Sequence, residues 1–210
     1  MRYLFLLFLS AGLYADNEIF VTQTGSNASV DLEQLGGSNL IGGTSAVSGT
    51  MTALDLDGAS MILDINQIGS SNIFRSDAID GSNFTGFFEF DGDSNVWDLL
   101  VDSTGLLGSD YINMNIDVTG SSNVADIKIA ENAAADYLDL DWIVTGDSNQ
   151  FDFDIDYENA TNYMDVNGSS NTINFNGSGF AGNSQATSGY FYMDLDGSSN
   201  TFNVTQASTL

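Results

Sequence analysis

Cysteine, proline and histidine are all absent from the 210 residues of this chain. Without cysteine, the protein forms no disulfide and has no thiol nucleophile. The missing histidine removes the commonest general base, and the two absences together remove the usual ligands of zinc sites. The absence of proline suits an uninterrupted β-ladder, because proline cannot donate a backbone hydrogen bond. We therefore expect no catalytic residues, no dedicated metal site and no enzymatic activity.

Basic residues are also scarce. Three lysines and arginines stand against 29 aspartates and glutamates, and the formal net charge is −26. Nucleic-acid binding depends on Lys and Arg contacts to phosphate, so the composition excludes a nucleic-acid partner. A pair of carboxylates can hydrolyse glycosides. Here, however, the acids recur in a regular alternation, and no two of them stand out as a catalytic pair.

The first fifteen residues differ from the rest of the chain. Arg2 is followed by the apolar run Leu4–Leu9, and a small residue, Ala15, precedes Asp16. This order is typical of a secretory signal peptide, and the run is too short to span a bilayer comfortably. We expect a signal peptide over residues 1–15, a mature domain over residues 16–210, no membrane insertion afterwards and a secreted, extracellular or cell-surface location. A membrane anchor or a buried strand is the alternative for this segment.

A tetrad of the form Gly-x-Ser-Asn occurs seven times, at intervals of 22 to 33 residues. The seven copies are Gly36–Asn39, Gly69–Asn72, Gly92–Asn95, Gly120–Asn123, Gly146–Asn149, Gly168–Asn171 and Gly197–Asn200. Repeats at such intervals are typical of one structural unit copied along a stack. The variable interval around a constant turn indicates one fixed edge and one tolerant edge.

The residues on both sides of each tetrad alternate between apolar and polar. Four residues before the glycine stand Leu32, Ile65, Phe88, Ile116, Trp142, Met164 and Met193. Two residues after the asparagine stand Ile41, Phe74, Trp97, Ala125, Phe151, Ile173 and Phe202. Period-2 alternation predicts strands with one buried face. We predict an all-β fold: a β-solenoid of about seven two-stranded layers, with strand-turn-strand repeats and the tetrads on one edge.

Turns of a second kind alternate with the tetrads. Short triplets stand at Gly25–Asn27, Gly58–Ser60 and Gly81–Asn83, and longer loops follow near residues 103–110, 131–136, 158–161 and 177–189. Glycine supplies a positive φ at tight corners, and asparagine tolerates the left-handed region or bonds nearby backbone. We expect the turn asparagines to hold each layer. They are Asn27, Asn39, Asn72, Asn83, Asn95, Asn123, Asn149, Asn171 and Asn200.

Acidic residues form a column of their own. Three residues before the tetrad glycine stand Glu33, Asn66, Glu89, Asp117, Ile143, Asp165 and Asp194. Like charges about 4.8 Å apart in water repel by roughly 0.9 kcal/mol per pair before screening. This column is either a solvated acidic face or a surface that collects Ca²⁺ weakly, without a dedicated site. Asp91–Asn95 opens like a calcium-binding loop with Asp102 at its twelfth position, but Val96 stands where such a loop needs glycine. We therefore expect no cofactor.

The early repeats resemble the curlin repeat, in which Gln-x-Gly-x-x-Asn precedes alternating Ala and Val. The spacing matches at Gln34, Gly36 and Asn39, and again at Gln67, Gly69 and Asn72; at Gln23, Gly25 and Asn27 it is one residue shorter. From the third tetrad onward an apolar residue replaces the glutamine. The resemblance implies a β-solenoid subunit of a curli-like amyloid fibre outside a Gram-negative-type cell. It also implies inward Gln and Asn ladders, and a curli-type export channel and nucleator as partners.

The first and last strand patterns favour self-association independently. Ile19–Gln23 and Phe202–Gln206 both carry the repeat's alternation without a blunting proline or lysine, and open β-edges invite another chain. We assign assembly to Val21, Gln23, Val204 and Gln206. The expected function is a secreted structural protein that polymerises end to end with itself as a fibre or biofilm matrix component. The alternatives are a monomeric acidic surface adhesin, acting in cell adhesion through its variable loops, and a calcium-stabilised binding module.

Overall fold

The computed structural model describes residues 18–42, 54–101, 111–129, 137–157, 160–179 and 190–208. Within these ranges the chain is all-β and contains no helix. The strands in chain order are β1 (Glu18–Ile19), β2 (Thr22–Thr24), β3 (Ser29–Leu35), β4 (Leu40–Ile41), β5 (Leu54–Asp57), β6 (Ile62–Ile68), β7 (Ile73–Asp80), β8 (Phe84–Asp91), β9 (Val96–Val101), β10 (Ile112–Thr119), β11 (Val124–Ile129), β12 (Leu138–Thr145), β13 (Gln150–Tyr157), β14 (Ala160–Asn167), β15 (Thr172–Gly179), β16 (Tyr190–Asp196) and β17 (Thr201–Ser208).

The strands form two parallel sheets that face each other across the core. Sheet B contains β3, β6, β8, β10, β12, β14 and β16 in that spatial order, one strand for each coil. Sheet A contains the intervening strands, from β1 and β2 at one end to β17 at the other. Successive coils therefore lie on one another, and the described strand pairs are all parallel. The predicted β-solenoid is confirmed.

Residues that share a place in the repeat form straight columns. The predicted apolar column of sheet B runs in register from Leu32 through Ile116 to Met193. The matching column of sheet A runs from Ile41 through Trp97 to Phe202. Except at the end coils, the apolar members of both columns are buried. Aromatic contacts link neighbouring coils, as where Phe74 and Phe88 meet at a centroid distance of 5.8 Å. The stacked pair Phe90 and Trp97, at 4.0 Å, joins the two strands of one coil.

A level is one coil's position along the stack. The described part of sheet B has seven levels. Sheet A has eight, because β1 with β2 forms a level before the first strand of sheet B, whereas β17 continues the coil of β16. In sheet A, β1 with β2 share one level and β4 with β5 share the next. Sheet A is less regular at its first levels, where β7 contains a register shift between Arg75 and Ile79.

Several sequence predictions lie outside the described residues. They are the signal peptide at residues 1–15 and most of the longer loops, which fall in the gaps 102–110, 130–136, 158–159 and 180–189. The three short triplets lie inside the described ranges. They join the two sheets at the edge opposite the tetrads, which we call the loop edge.

Candidate self-assembly interface

The tetrad corner is the turn that each Gly-x-Ser-Asn forms, and its backbone is set by two residues. The glycine has a positive φ, for example 131° at Gly120. A Cβ there would stand 2.1 Å from the Gly92 carbonyl oxygen of the coil below, so no side chain fits. The third residue, a serine, lies in the left-handed region with φ near 60° in all seven corners. The serines are Ser38, Ser71, Ser94, Ser122, Ser148, Ser170 and Ser199.

Asn27 and Asn83 differ in conformation and exposure from the seven tetrad asparagines with which the sequence analysis groups them. They have φ values of 62° and 60°, like the corner serines, and their side chains are exposed at the loop edge. The expectation of an inward ladder does not hold for these two. In the triplets the third residue takes the left-handed conformation, and an apolar residue follows where the tetrad has its asparagine. Those following residues are Ala28, Met61 and Phe84.

The tetrad asparagines form a continuous hydrogen-bonded column, which we call the inner ladder. Each backbone N–H in the column donates to the side-chain Oδ1 of the asparagine one level further along. The six N···O distances from Asn39 to Asn200 lie between 2.8 and 3.0 Å. Except for the half-buried Asn200, these side chains are at most 2% exposed. A buried N–H that lost its acceptor would cost about 1–3 kcal/mol, so each asparagine ties two levels together.

A second column, the outer ladder, runs along the exposed second position of the tetrads. There each side-chain oxygen accepts from the backbone N–H one level further along, so its direction is opposite to that of the inner ladder. Asp93 Oδ1 accepts from Ser121 N at 2.6 Å, and Asp147 Oδ1 accepts from Ser169 N at 2.6 Å. Serine hydroxyls fill the levels between, as where Ser70 Oγ accepts from Asp93 N at 3.2 Å. The sequence reasoning did not identify this column, although the alternation of Ser and Asp at that position is visible in the chain.

The two predicted glutamines lie next to each other in sheet B. Gln67 Nε2 donates to Gln34 Oε1 at 2.9 Å and lies 3.3 Å from the Ile73 carbonyl oxygen. Gln34 Nε2 likewise donates to the Leu40 carbonyl oxygen at 3.2 Å. Both side chains are buried, and Phe90 takes the same place at the next level. The glutamine contact is therefore confined to the first two levels, as the loss of glutamine from later repeats implies.

The end coils leave part of the core-facing set uncovered. At the first level Val21 and Gln23 are only half-buried. At the last level Val204 is 46% exposed, and Gln206 is also exposed. Leu195 is 41% exposed, whereas Val166, its neighbour one level back, is fully buried. The exposure at each end thus follows from the missing cover of a further coil.

Charge is distributed unevenly between the two outer faces. The described strands of sheet B carry acids and no lysine or arginine. Sheet A carries Arg75 and Lys128, and Lys128 Nζ lies 3.5 Å from Asp126 Oδ2. Burial, and then the neighbouring Asp126, raises the pKa of Asp98, although Lys128 and Arg75 oppose the shift. On sheet B, burial and then Asp141 raise the pKa of Asp139.

Metal ligation is not evident where the structure is described: those residues contain no group of three or more Asp, Glu, His or Cys placed to hold an ion. Asp91–Asn95, the segment that opens like a calcium loop, forms an ordinary tetrad corner. Asn95 in that segment is fully buried in the inner ladder. Asp102, its twelfth position, lies outside the described residues.

A groove of about 590 Å³ lies at the loop edge of sheet B. Tyr111 and Tyr137 stack there at a centroid distance of 4.7 Å and an interplanar angle of 5°. The two rings are 54% and 48% exposed. Asn113 and Asp139 also line the groove and share one outward column. An aromatic platform beside polar side chains resembles a small-ligand site.

Comparison of the chain with protein-family models, with curated proteins and with solved structures returns no match. In the described residues, no helix is long and apolar enough to cross a membrane.

Proposed function

We propose that this protein is a secreted structural subunit that stacks end to end with copies of itself, in the manner of a curli-like extracellular fibre. The partner in this assembly is a second copy of the same chain. The product is a fibre or matrix component outside the cell, delivered by an export channel and started by a nucleating subunit of the curli type.

The observation that carries the proposal is the pair of end coils. Within the described residues both sheets end on edge strands, β3 and β16 in sheet B, and core-facing side chains such as Val204 and Leu195 are partly exposed there. Edge strands that offer backbone hydrogen bonds and apolar side chains are templates for another β-edge. Solenoids that remain monomeric need polar caps at their terminal repeats. A second copy would supply the same columns that each coil already supplies to the next.

The ladders add direction to this interface. At the last level the next donor of the inner ladder is the backbone N–H of Asn200. At the first level the corresponding acceptor is the side-chain Oδ1 of Asn39. Because each N–H in the ladder donates towards the later level, the last level of one copy fits the first level of another. Copies are therefore expected to join head to tail. Heterologous joining of this kind generates an open filament.

Fibre formation is tested with the purified chain at neutral pH, followed by light scattering and electron microscopy. Unbranched fibres are the expected result, with growth that depends on added fibre ends. A chain with residues 202–206 deleted should elongate far more slowly, because β17 and its exposed core-facing residues are lost. Protein that remains monomeric for days at high concentration would overturn the proposal, and unchanged growth of the deletion variant would remove the β17 end from it.

A monomeric surface adhesin is the second candidate, favoured by the groove at Tyr111 and Tyr137. Exposed, parallel tyrosine rings beside Asn113 and Asp139 suit a sugar ring, which offers an apolar face and hydroxyl groups. Glycan binding that is lost in a Tyr111→Ala variant, by a protein that stays monomeric, would favour this function over the fibre. The calcium-stabilised module has no comparable support. It would require a melting temperature markedly lower in chelator than in millimolar Ca²⁺.

A further inference from the structure

The two sheets differ in height, and this difference constrains how copies can stack. In the described residues sheet A has eight levels and sheet B seven. If copies repeat every eight levels, sheet B has one level at each junction without a described strand. If they repeat every seven levels, β17 of one copy and β1 with β2 of the next are assigned to the same level of sheet A.

The tetrad corners favour the repeat of seven levels. Asn200 lies at the seventh corner, so the inner ladder continues without a gap only if Asn39 of the next copy lies directly above it. In that position Asn200 N–H donates to Asn39 Oδ1. Ser198 Oγ then faces the Gly37 N–H, as Ser169 Oγ faces the Ser198 N–H at 3.2 Å within the chain. A repeat of eight levels would interrupt both ladders at every junction.

The strands that compete for the shared level are equivalent in register. The column of Gln23 runs through Leu56, Ile79, Val101, Ile129, Ile155 and Gly177 to Gln206. The column of Ile19 runs in the same way to Phe202. Val204-Thr205-Gln206 therefore occupies the same columns as Val21-Thr22-Gln23 and has the same three residues. The last strand of sheet A repeats the first.

The strand that keeps the shared level is the one more firmly held by its own copy. β17 pairs with β15 over eight residues without interruption. β1 and β2 pair with β4 and β5 over two and three residues, with a break between them. Displacing β1 and β2 therefore breaks fewer backbone pairings than displacing β17. In the seven-level repeat Phe202 also lies next to the buried Ile41 of the next copy, in the position that Ile19 otherwise occupies.

We infer that β17 of one copy replaces β1 and β2 of the next copy when the two join, so that each junction is a strand exchange with a seven-level repeat. This inference rests on the proposed end-to-end assembly. In the joined state Thr205 takes the place of Thr22 beside Asp55 of the next copy. Residues 18–24 of that copy leave the sheet, and β3 is added directly to β16 of the preceding copy.

Cysteine pairs test the exchange, and the chain has no cysteine of its own to interfere. Thr205, Asp55 and Thr22 lie in one outward column, where neighbouring Cα atoms of a parallel sheet are about 4.8 Å apart, a distance that a disulfide spans. In the double variant Thr205→Cys/Asp55→Cys, fibres should oxidise to covalent multimers on a non-reducing gel. The matched variant Thr205→Cys/Thr22→Cys should remain monomeric on the same gel. Multimers from the second variant instead of the first would overturn the exchange, and so would fibres in which neither pair crosslinks.

Hydrogen exchange on fibres of the unaltered chain tests the same step if the cysteine variants do not assemble. Amides of residues 18–24 should exchange rapidly in the fibre, while those of 201–208 become protected. Protection of both segments would overturn the exchange and leave the fibre proposal standing. If the unaltered chain forms no fibre at all, the proposed function fails, and the exchange fails with it.

Discussion

The tetrad edge and the loop edge of the solenoid close the same coils by different means. At the tetrad edge every level has the same four-residue turn, and two hydrogen-bonded ladders of opposite direction satisfy its backbone. At the loop edge the first turns are triplets followed by an apolar residue, Ala28, Met61 or Phe84, that packs into the core. Backbone hydrogen bonds between levels hold both edges. The tetrad edge adds buried asparagine side chains where the loop edge adds a buried apolar side chain.

The difference explains why the intervals between tetrads vary. A ladder needs an asparagine of the same conformation at every level, because each side chain accepts from the level before it. Apolar burial tolerates different residues, and a chain that leaves one strand can return to the next after a longer excursion. Long surface insertions carry a small entropic cost. Variation is therefore expected at the loop edge, which is also where the tyrosine groove lies.

Gly120→Ala should break the tetrad edge most severely. The new Cβ would stand 2.1 Å from the Gly92 carbonyl oxygen, and the positive φ of 131° is strained for alanine. We expect the free energy of unfolding to fall by about 4 kcal/mol or more, a loss that few single substitutions cause. Urea unfolding followed by the fluorescence of the buried Trp97 and Trp142 measures this. A loss of less than about 1 kcal/mol would mean that Gly120 does not lie against the Gly92 carbonyl oxygen as described.

The same substitution at the two edges should separate their roles. Asn123→Gly removes the Oδ1 that accepts from the Asn95 backbone at 2.8 Å, and should cost about 1–3 kcal/mol for the unsatisfied buried N–H. Asn83→Gly, at an exposed turn position with a φ of 60°, should change the stability by less than about 0.5 kcal/mol, because glycine adopts that conformation freely. Equal losses in the two variants would contradict the distinction between the edges.

Mild acidification should stabilise the folded protein. Asp98 lies near the tetrad edge and Asp139 near the loop edge, and burial raises both pKa values above the ordinary 3.8. Between that value and the raised pKa the folded state binds more protons than the unfolded chain, so the free energy of unfolding falls as pH rises through the interval. The urea concentration at the midpoint of unfolding should therefore increase as the pH is lowered from neutral to about 4.5. Asp98→Asn and Asp139→Asn should each reduce this increase, and a steady fall of the midpoint towards acid would contradict it.

Ser121→Ala should have the smallest effect. Its hydroxyl accepts from the Asp147 backbone N–H at 3.3 Å in the outer ladder, but the site is exposed and water can replace the hydroxyl. The expected change is within about 0.5 kcal/mol, as for most surface substitutions. If this variant loses as much stability as Asn123→Gly, the outer ladder contributes as much as the inner one.

The sequence predicted the columns of the solenoid and the role of the tetrad asparagines in holding its layers, but neither the left-handed serines nor the outer ladder. Trp142 and Met164 stand at the same distance before a glycine, and the structure places them in one column. That spacing was readable because alternation and the tetrads impose one register on every coil. The break between β1 and β2 and the shift in β7 carry no comparable signal, because they depend on how insertions fit against neighbouring coils.

Sequence reasoning leaves two roles open for a turn asparagine, because this residue both tolerates positive φ and bonds nearby backbone. The structure divides the two roles: Asn27 and Asn83 take the left-handed conformation, and the tetrad asparagines bond backbone. In the tetrads, however, serine takes the left-handed conformation, as at Ser122. Asn123 has the first of the side chains that alternate into the core along the next strand. The phase was visible in the sequence, since Ala125 and Ile127 continue the same alternation after Asn123. Which exposed serine oxygens complete the outer ladder could be learned only from coordinates.

Electron cryomicroscopy of assembled protein tests the central claim most directly. If the end coils of one copy accept the next in solenoid register, strands lie across the fibre axis about 4.8 Å apart, and one copy spans seven levels, or about 34 Å. The asparagine column should then run unbroken from copy to copy. Particles that remain single solenoids, or fibres whose solenoid axes lie side by side with the end coils uncovered, would contradict the account.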